Sequence, residues 1–76
     1  MKTMMVNKKN GLMYNMKSFH TFMRDRCGYN PETDKFEKWS IVGYRGGHSW
    51  KTQTTVTFPF DTEEERDTVW EELGKI

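Results

Sequence analysis

Residues 36–60 constrain the fold most, because their side chains alternate with a period of two on either side of Gly46-Gly47. Two adjacent glycines supply the positive-φ positions of a tight two-residue turn, so the stretch reads as an antiparallel β-hairpin. That turn pairs Arg45 with His48, Gly43 with Trp50, Ile41 with Thr52 and Trp39 with Thr54. One face then carries Trp39, Ile41, Trp50, Val56, Phe58 and Phe60, and this is the expected core face. The Trp50 ring would cover the gap left opposite Gly43. The other face carries Phe36, Lys38, Ser40, Val42 and Tyr44 opposite Lys51, Gln53, Thr55 and Thr57.

A helix follows directly. Thr62-x-x-Glu65 and Asp61-x-x-Glu64 both fit a capping box, with Pro59 in the approach and Gly74 as the stop. At about 100° per residue, Val69, Trp70, Leu73 and Ile76 fall in an apolar arc of about 120°, with Glu64, Asp67 and Glu71 opposite. Arg66 lies inside that arc and must snorkel out or find an acid. Upstream, residues 18–27 read as a second amphipathic helix, with Phe19, Phe22, Met23 and Cys27 on one stripe and Lys17, Thr21 and Arg24 outside. Gly28 would end it in a left-handed cap, and Asn30-Pro31-Glu32-Thr33 would turn the chain. Met4–Val6 and residues 12–14 flank Asn10-Gly11, a further hairpin signal.

The expected architecture is α+β in one domain, residues 1–76. A small antiparallel sheet with its central hairpin at 36–58 carries two amphipathic helices, about 18–27 and 62–74, packed on one face. The core material is unusual: eleven aromatics and six Met against eight Val, Ile and Leu, with no Ala. So many aromatics exclude a disordered chain. No apolar run approaches the ~20 residues a bilayer demands, and the start of the chain shows no secretory pattern. One cysteine excludes an internal disulfide. A reduced, cytoplasmic protein without a membrane segment is expected. A chain this short buries only about 60% of its unfolded surface, so a partner or self-association into a homo-oligomer is expected to add stability.

The net charge of +1 hides a division. Residues 61–76 carry seven acids against Arg66 and Lys75, a local −5, while residues 1–60 carry a local +6. The two halves either pair with each other or steer a charged partner. Acids also gather naturally in a helix's first turns.

Catalytic readings fare poorly. Cys27 and His20 would lie two helical turns apart, but no spacing indicates a third, orienting group. His20, Cys27 and His48 lack the close paired spacing of structural zinc sites. Acids on a solvated helix have like environments, whereas two-carboxyl catalysis needs unlike ones. Gly46-Gly47 belongs to neither a phosphate-binding nor a dinucleotide-binding pattern. The expectation is a protein that is no enzyme, with no cofactor and no metal.

Partner binding is better indicated. Phe36, Val42 and Tyr44 interleave with Lys38, and Arg45 and Lys51 lie nearby. Rings among cations suit a protein interface and also suit base stacking with phosphate neutralisation. Either way, the face must not be covered by a second layer such as the first fifteen residues. The acidic helix, through Glu64, Asp67 and Glu71, is a second candidate surface, able to mimic a phosphate row for a basic groove. The leading expectation is a non-enzymatic protein-binding module, an inhibitor or adaptor of virus-encoded type acting on a larger, nucleic-acid-handling protein. The alternative is a nucleic-acid-binding domain using the basic and aromatic hairpin face.

Residues 49–70, with Phe58-Pro59-Phe60-Asp61-Thr62-Glu63-Glu64-Glu65 at their centre, resemble the last strand and helix start of AP2-type and integrase arm DNA-binding domains. The resemblance covers under a third of the chain and implies a small sheet that reads DNA, packed on the following helix. This chain departs from the pattern in a Thr-rich rather than Arg-rich sheet and an acidic helix without Ala.

Overall fold

In a computed structural model of the chain, residues 3–47, 49 and 51–75 are described. Strands β1 (Met4–Val6) and β2 (Met13–Asn15) form a two-stranded antiparallel sheet, followed by a 3-10 turn at Met16–Ser18. Strands β3 (Thr21–Asn30), β4 (Lys35–Gly46) and β5 (Gln53–Phe60) form an antiparallel meander in that order, and helix α1 (Glu63–Leu73) ends the chain.

The described residues form one α-helix and two sheets, which corrects the expected two helices on a single sheet. Residues 18–27 belong mostly to β3. Met23, Cys27 and Tyr29 fit a period of two while Phe22 does not, and strand pairing decides against the helix: Thr21, Met23, Asp25, Cys27 and Tyr29 share one face, Phe22, Arg24 and Arg26 the other. The only cap near this segment serves the 3-10 turn, where Asn15 Oδ1 accepts from Lys17 N at 3.0 Å. Gly28 does adopt a positive φ of 69°, within a strand and not at a helix end. The turn at residues 31–34 then reverses the chain, with Glu32 N donating to Asn30 Oδ1 at 2.9 Å.

The β4–β5 pairing also departs from the two-residue turn. Gly43 pairs with Val56, Ile41 with Phe58 and Trp39 with Phe60, so β5 is displaced by six residues from the expected register. The connection is the longer loop 47–52, closed by Gly47 N to Thr52 O at 3.3 Å and Gln53 N to Ser49 O at 2.9 Å. His48 and Trp50, expected opposite Arg45 and Gly43, lie outside the described residues. Because the displacement is even, the side chains keep their faces.

The core accordingly holds Ile41, Val56, Phe58 and Phe60 from the expected face, joined by Met16 and Phe19. Two elements cover it. Helix α1 contributes Val69, Trp70 and Leu73, and the β1–β2 hairpin contributes Met5 and Tyr14 where a second helix was expected. The rings meet edge-on, Tyr14 on Phe58 at 5.4 Å and Phe19 on Phe58 at 6.0 Å, an arrangement worth about 0.5–1.5 kcal/mol per pair beyond burial.

Helix α1 starts where its cap predicts: Thr62 Oγ1 accepts from Glu65 N at 3.1 Å. Arg66 is only 9% exposed and finds its acids, with Asp67 at 3.0 Å and Glu63 at 3.7 Å. It also donates to the Asp25 carbonyl at 3.4 Å, tying α1 to β3. Among the described residues, no helix is long and apolar enough to cross a membrane.

Candidate interaction surface

Both covering elements sit on one side of the meander, so its other face carries no second layer among the described residues. That face is assembled by register: Met23 beside Val42, Cys27 beside Lys38, Tyr29 beside Phe36 and Thr21 beside Tyr44. Gln53, Thr55, Thr57 and Pro59 complete it from β5. The β1–β2 hairpin does not form that second layer, since Met5 and Tyr14 pack on the opposite face.

The face mixes polar with apolar residues, and several of its large apolar side chains are half open. Met23 is 41% exposed, Tyr29 52% and Phe36 49%. The Tyr29 and Phe36 rings lie 5.3 Å apart on the part of the β3–β4 ribbon that runs beyond the end of β5. Tyr29 donates its hydroxyl hydrogen to Asp34, and this bond raises the phenol pKa above its ordinary 10.0. Nearer the centre, Val42 is buried and Ser40 is fully buried, its hydroxyl without a hydrogen-bond partner among the described residues.

The residues named from sequence divide over three places. Phe36, Lys38, Val42 and Tyr44 share the open face. Lys51 lies in the loop beyond it. Arg45 points to the other side, its guanidinium 5.3 Å from the Tyr14 ring centroid and 5.8 Å from that of Phe19. Glu64 and Glu71 are exposed on α1, on the far side of the molecule. Asp67 is half-buried and engaged by Arg66 and, at 3.8 Å, by Arg24. Met23 and Tyr29 join the open face although sequence reasoning had placed Met23 in a helix core. The alternation through Tyr29 was the signal that could have found them.

Much of the charge division is internal pairing. Lys38 meets Asp61 at 3.5 Å, Lys8 meets Glu65 at 2.6 Å and Arg24 meets Asp67 at 3.8 Å, while Arg66, itself in the acidic segment, takes Glu63 and Asp67. Of the seven C-terminal acids, Glu64, Glu71 and Glu72 form no ion pair among the described residues. Of the candidate row Glu64, Asp67 and Glu71, Asp67 is taken up by ion pairs, while Glu64 and Glu71 are exposed.

The thiol–imidazole pairing considered from sequence has no geometric basis once residues 21–30 are extended. Seven residues of strand separate positions by roughly 20 Å. Cys27 instead directs its Sγ toward the Trp39 carbonyl at 3.8 Å. No cluster of three or more metal-ligating side chains occurs among the described residues.

Compared with known proteins, the chain matches no family, no curated protein and no solved structure. None of these comparisons supports the likeness of residues 49–70 to DNA-reading sheet domains. Among the described strand residues, the open face has Lys38 as its one cation and Asp25 as its acid.

Proposed function

We propose that this chain is a non-enzymatic protein-binding module, an adaptor or inhibitor that docks a protein partner on the open face of the β3–β4–β5 sheet. The observation that carries the reading is the uncovered aromatic and Met surface of Met23, Tyr29, Phe36 and Tyr44 around buried Val42. Aromatic and Met residues are what protein interfaces concentrate.

Charge favours a protein over a nucleic acid. Phosphate binding depends on several unengaged cations, whereas Lys38 is already held by Asp61 and Arg45 lies on the other face. The test is capture from a cytosolic lysate at two salt concentrations, with and without nuclease. Wild type is compared with the double variant Phe36→Asp, Tyr44→Asp and with Glu71→Lys. The expected result is a protein retained after nuclease and at high salt, lost in the double variant and kept by Glu71→Lys. Recovery of nucleic acid that disappears at high salt, or capture unchanged by the double variant, would refute the reading.

A further inference from the structure

A groove lies between β1 and α1, apart from the open sheet face. We infer that this groove takes an extended segment of a partner protein, alternating apolar and basic residues, which pairs with the free edge of β1.

The backbone of β1 supplies the first reason. Asn7 N donates to Leu12 O at 2.7 Å and Met16 N donates to Thr3 O at 2.7 Å. These two bonds flank the register that pairs Met5 with Tyr14. Hydrogen-bonded pairs alternate along an antiparallel ladder, so Met5 faces β2 with its peptide groups. Met4 and Val6 therefore direct their N–H and C=O groups away from β2, toward the opposite edge. No described residue takes up those groups, since β1 pairs with β2 alone. An open strand edge is a template for another strand.

The second reason is the cavity beside that edge. A groove of ≈ 370 Å³ is lined by all three residues of β1, by Met16 beneath, and by Val69, Glu72 and Leu73 of α1. Side chains of adjacent strand residues point to opposite faces, so a groove touching Met4, Met5 and Val6 together runs along the edge. Its walls are apolar, with Met4 44% and Val6 50% exposed. An added strand would bury them.

Charge identifies the occupant. The groove continues along α1 past Glu64, Glu65 and Thr68, sharing Val69 and Glu72 with the first cavity. Lys8 engages Glu65, whereas Glu64 and Glu72 form no ion pair among the described residues. Cations at alternate positions of the incoming strand would meet these carboxylates. A second copy of this chain would bring Met4–Val6 and the same acids against each other, which like-charge repulsion opposes.

The test uses the full chain and fluorescence anisotropy with a labelled octapeptide of alternating Lys and Val. Two further probes are the same octapeptide N-methylated on the residues facing β1, and an octapeptide of alternating Glu and Val. The basic peptide is expected to bind, and N-methylation to weaken it about tenfold by removing the strand donors. Glu64→Gln with Glu72→Gln should weaken it about threefold to tenfold and flatten its salt dependence. These are exposed helix positions, so the variant keeps the fold. Equal affinity for the Glu–Val peptide, indifference to N-methylation, or no binding of the basic peptide at millimolar concentration overturns the inference. A dimer by sedimentation that dissociates on Val6→Asp would place a second copy in the groove and also overturn it.

Discussion

The Phe19 ring lies directly against Gly43, so close that a Cβ built on this glycine would come within 2.7 Å of Phe19 Cδ1 and 2.8 Å of Cε1. Phe19 thus fills the gap in the central strand that the sequence assigned to Trp50. Gly43→Ala should cost about 1–3 kcal/mol by overpacking, measured by denaturant unfolding. Adding Phe19→Leu should recover part of that loss, since residues in contact couple. Additive losses in the double variant would contradict the contact.

Gly11 supplies the contrast, with φ +73° and nothing within 4 Å of its built Cβ. Its replacement by Ala is strained by backbone conformation alone, at about 1–2 kcal/mol. Removing Phe19 should leave this cost unchanged.

The start of α1 rests on Thr62 Oγ1 and Glu65 N. Thr62→Ala should destabilise by about 1 kcal/mol, and Thr62→Ser should restore most of it. Denaturant midpoints for the two variants check the prediction, and equal midpoints would count against the cap.

Alkaline pH should loosen two exposed tethers. Donation to Asp34 raises the Tyr29 pKa above 10.0, and the hydrogen bond and charge of Glu65 raise Lys8 above 10.5. A raised folded pKa means the contribution is complete below the unfolded value and is lost as pH climbs through the folded one. Tyr29 should therefore ionise above the ordinary phenol value in an absorbance titration. Asp34→Asn should bring it back toward the ordinary value, and an unchanged titration would contradict the bond.

The legible parts of the fold were those with local rules. The capped helix, the Asn10-Gly11 reversal and the core face of β4 and β5 follow from capping, turn chemistry and a period of two. Two features depended on distant contacts. Residues 18–27 could be helix or strand until β4 offered nine paired positions to β3. The Gly46-Gly47 pair suggested a tight turn, yet the register was set by burying Phe58 and Phe60 against Ile41 and Trp39. An even displacement then left Phe36, Lys38, Val42 and Tyr44 together on the correct face. Arg45 is next to Tyr44 in the chain but on the opposite face, since adjacent strand residues oppose each other. The β1 groove gave no sequence signal, since it arises where α1 passes a strand some sixty residues upstream.

The central claim is that a protein docks on the open sheet face, and site-specific photocrosslinking tests it most directly. A photoreactive phenylalanine analogue in place of Phe36 is compared with the same analogue in place of Glu71, each irradiated in lysate after nuclease treatment. The account predicts one protein adduct from position 36 and none from position 71. An adduct only from position 71, or one at position 36 that consists of nucleic acid when nuclease is omitted, would contradict it.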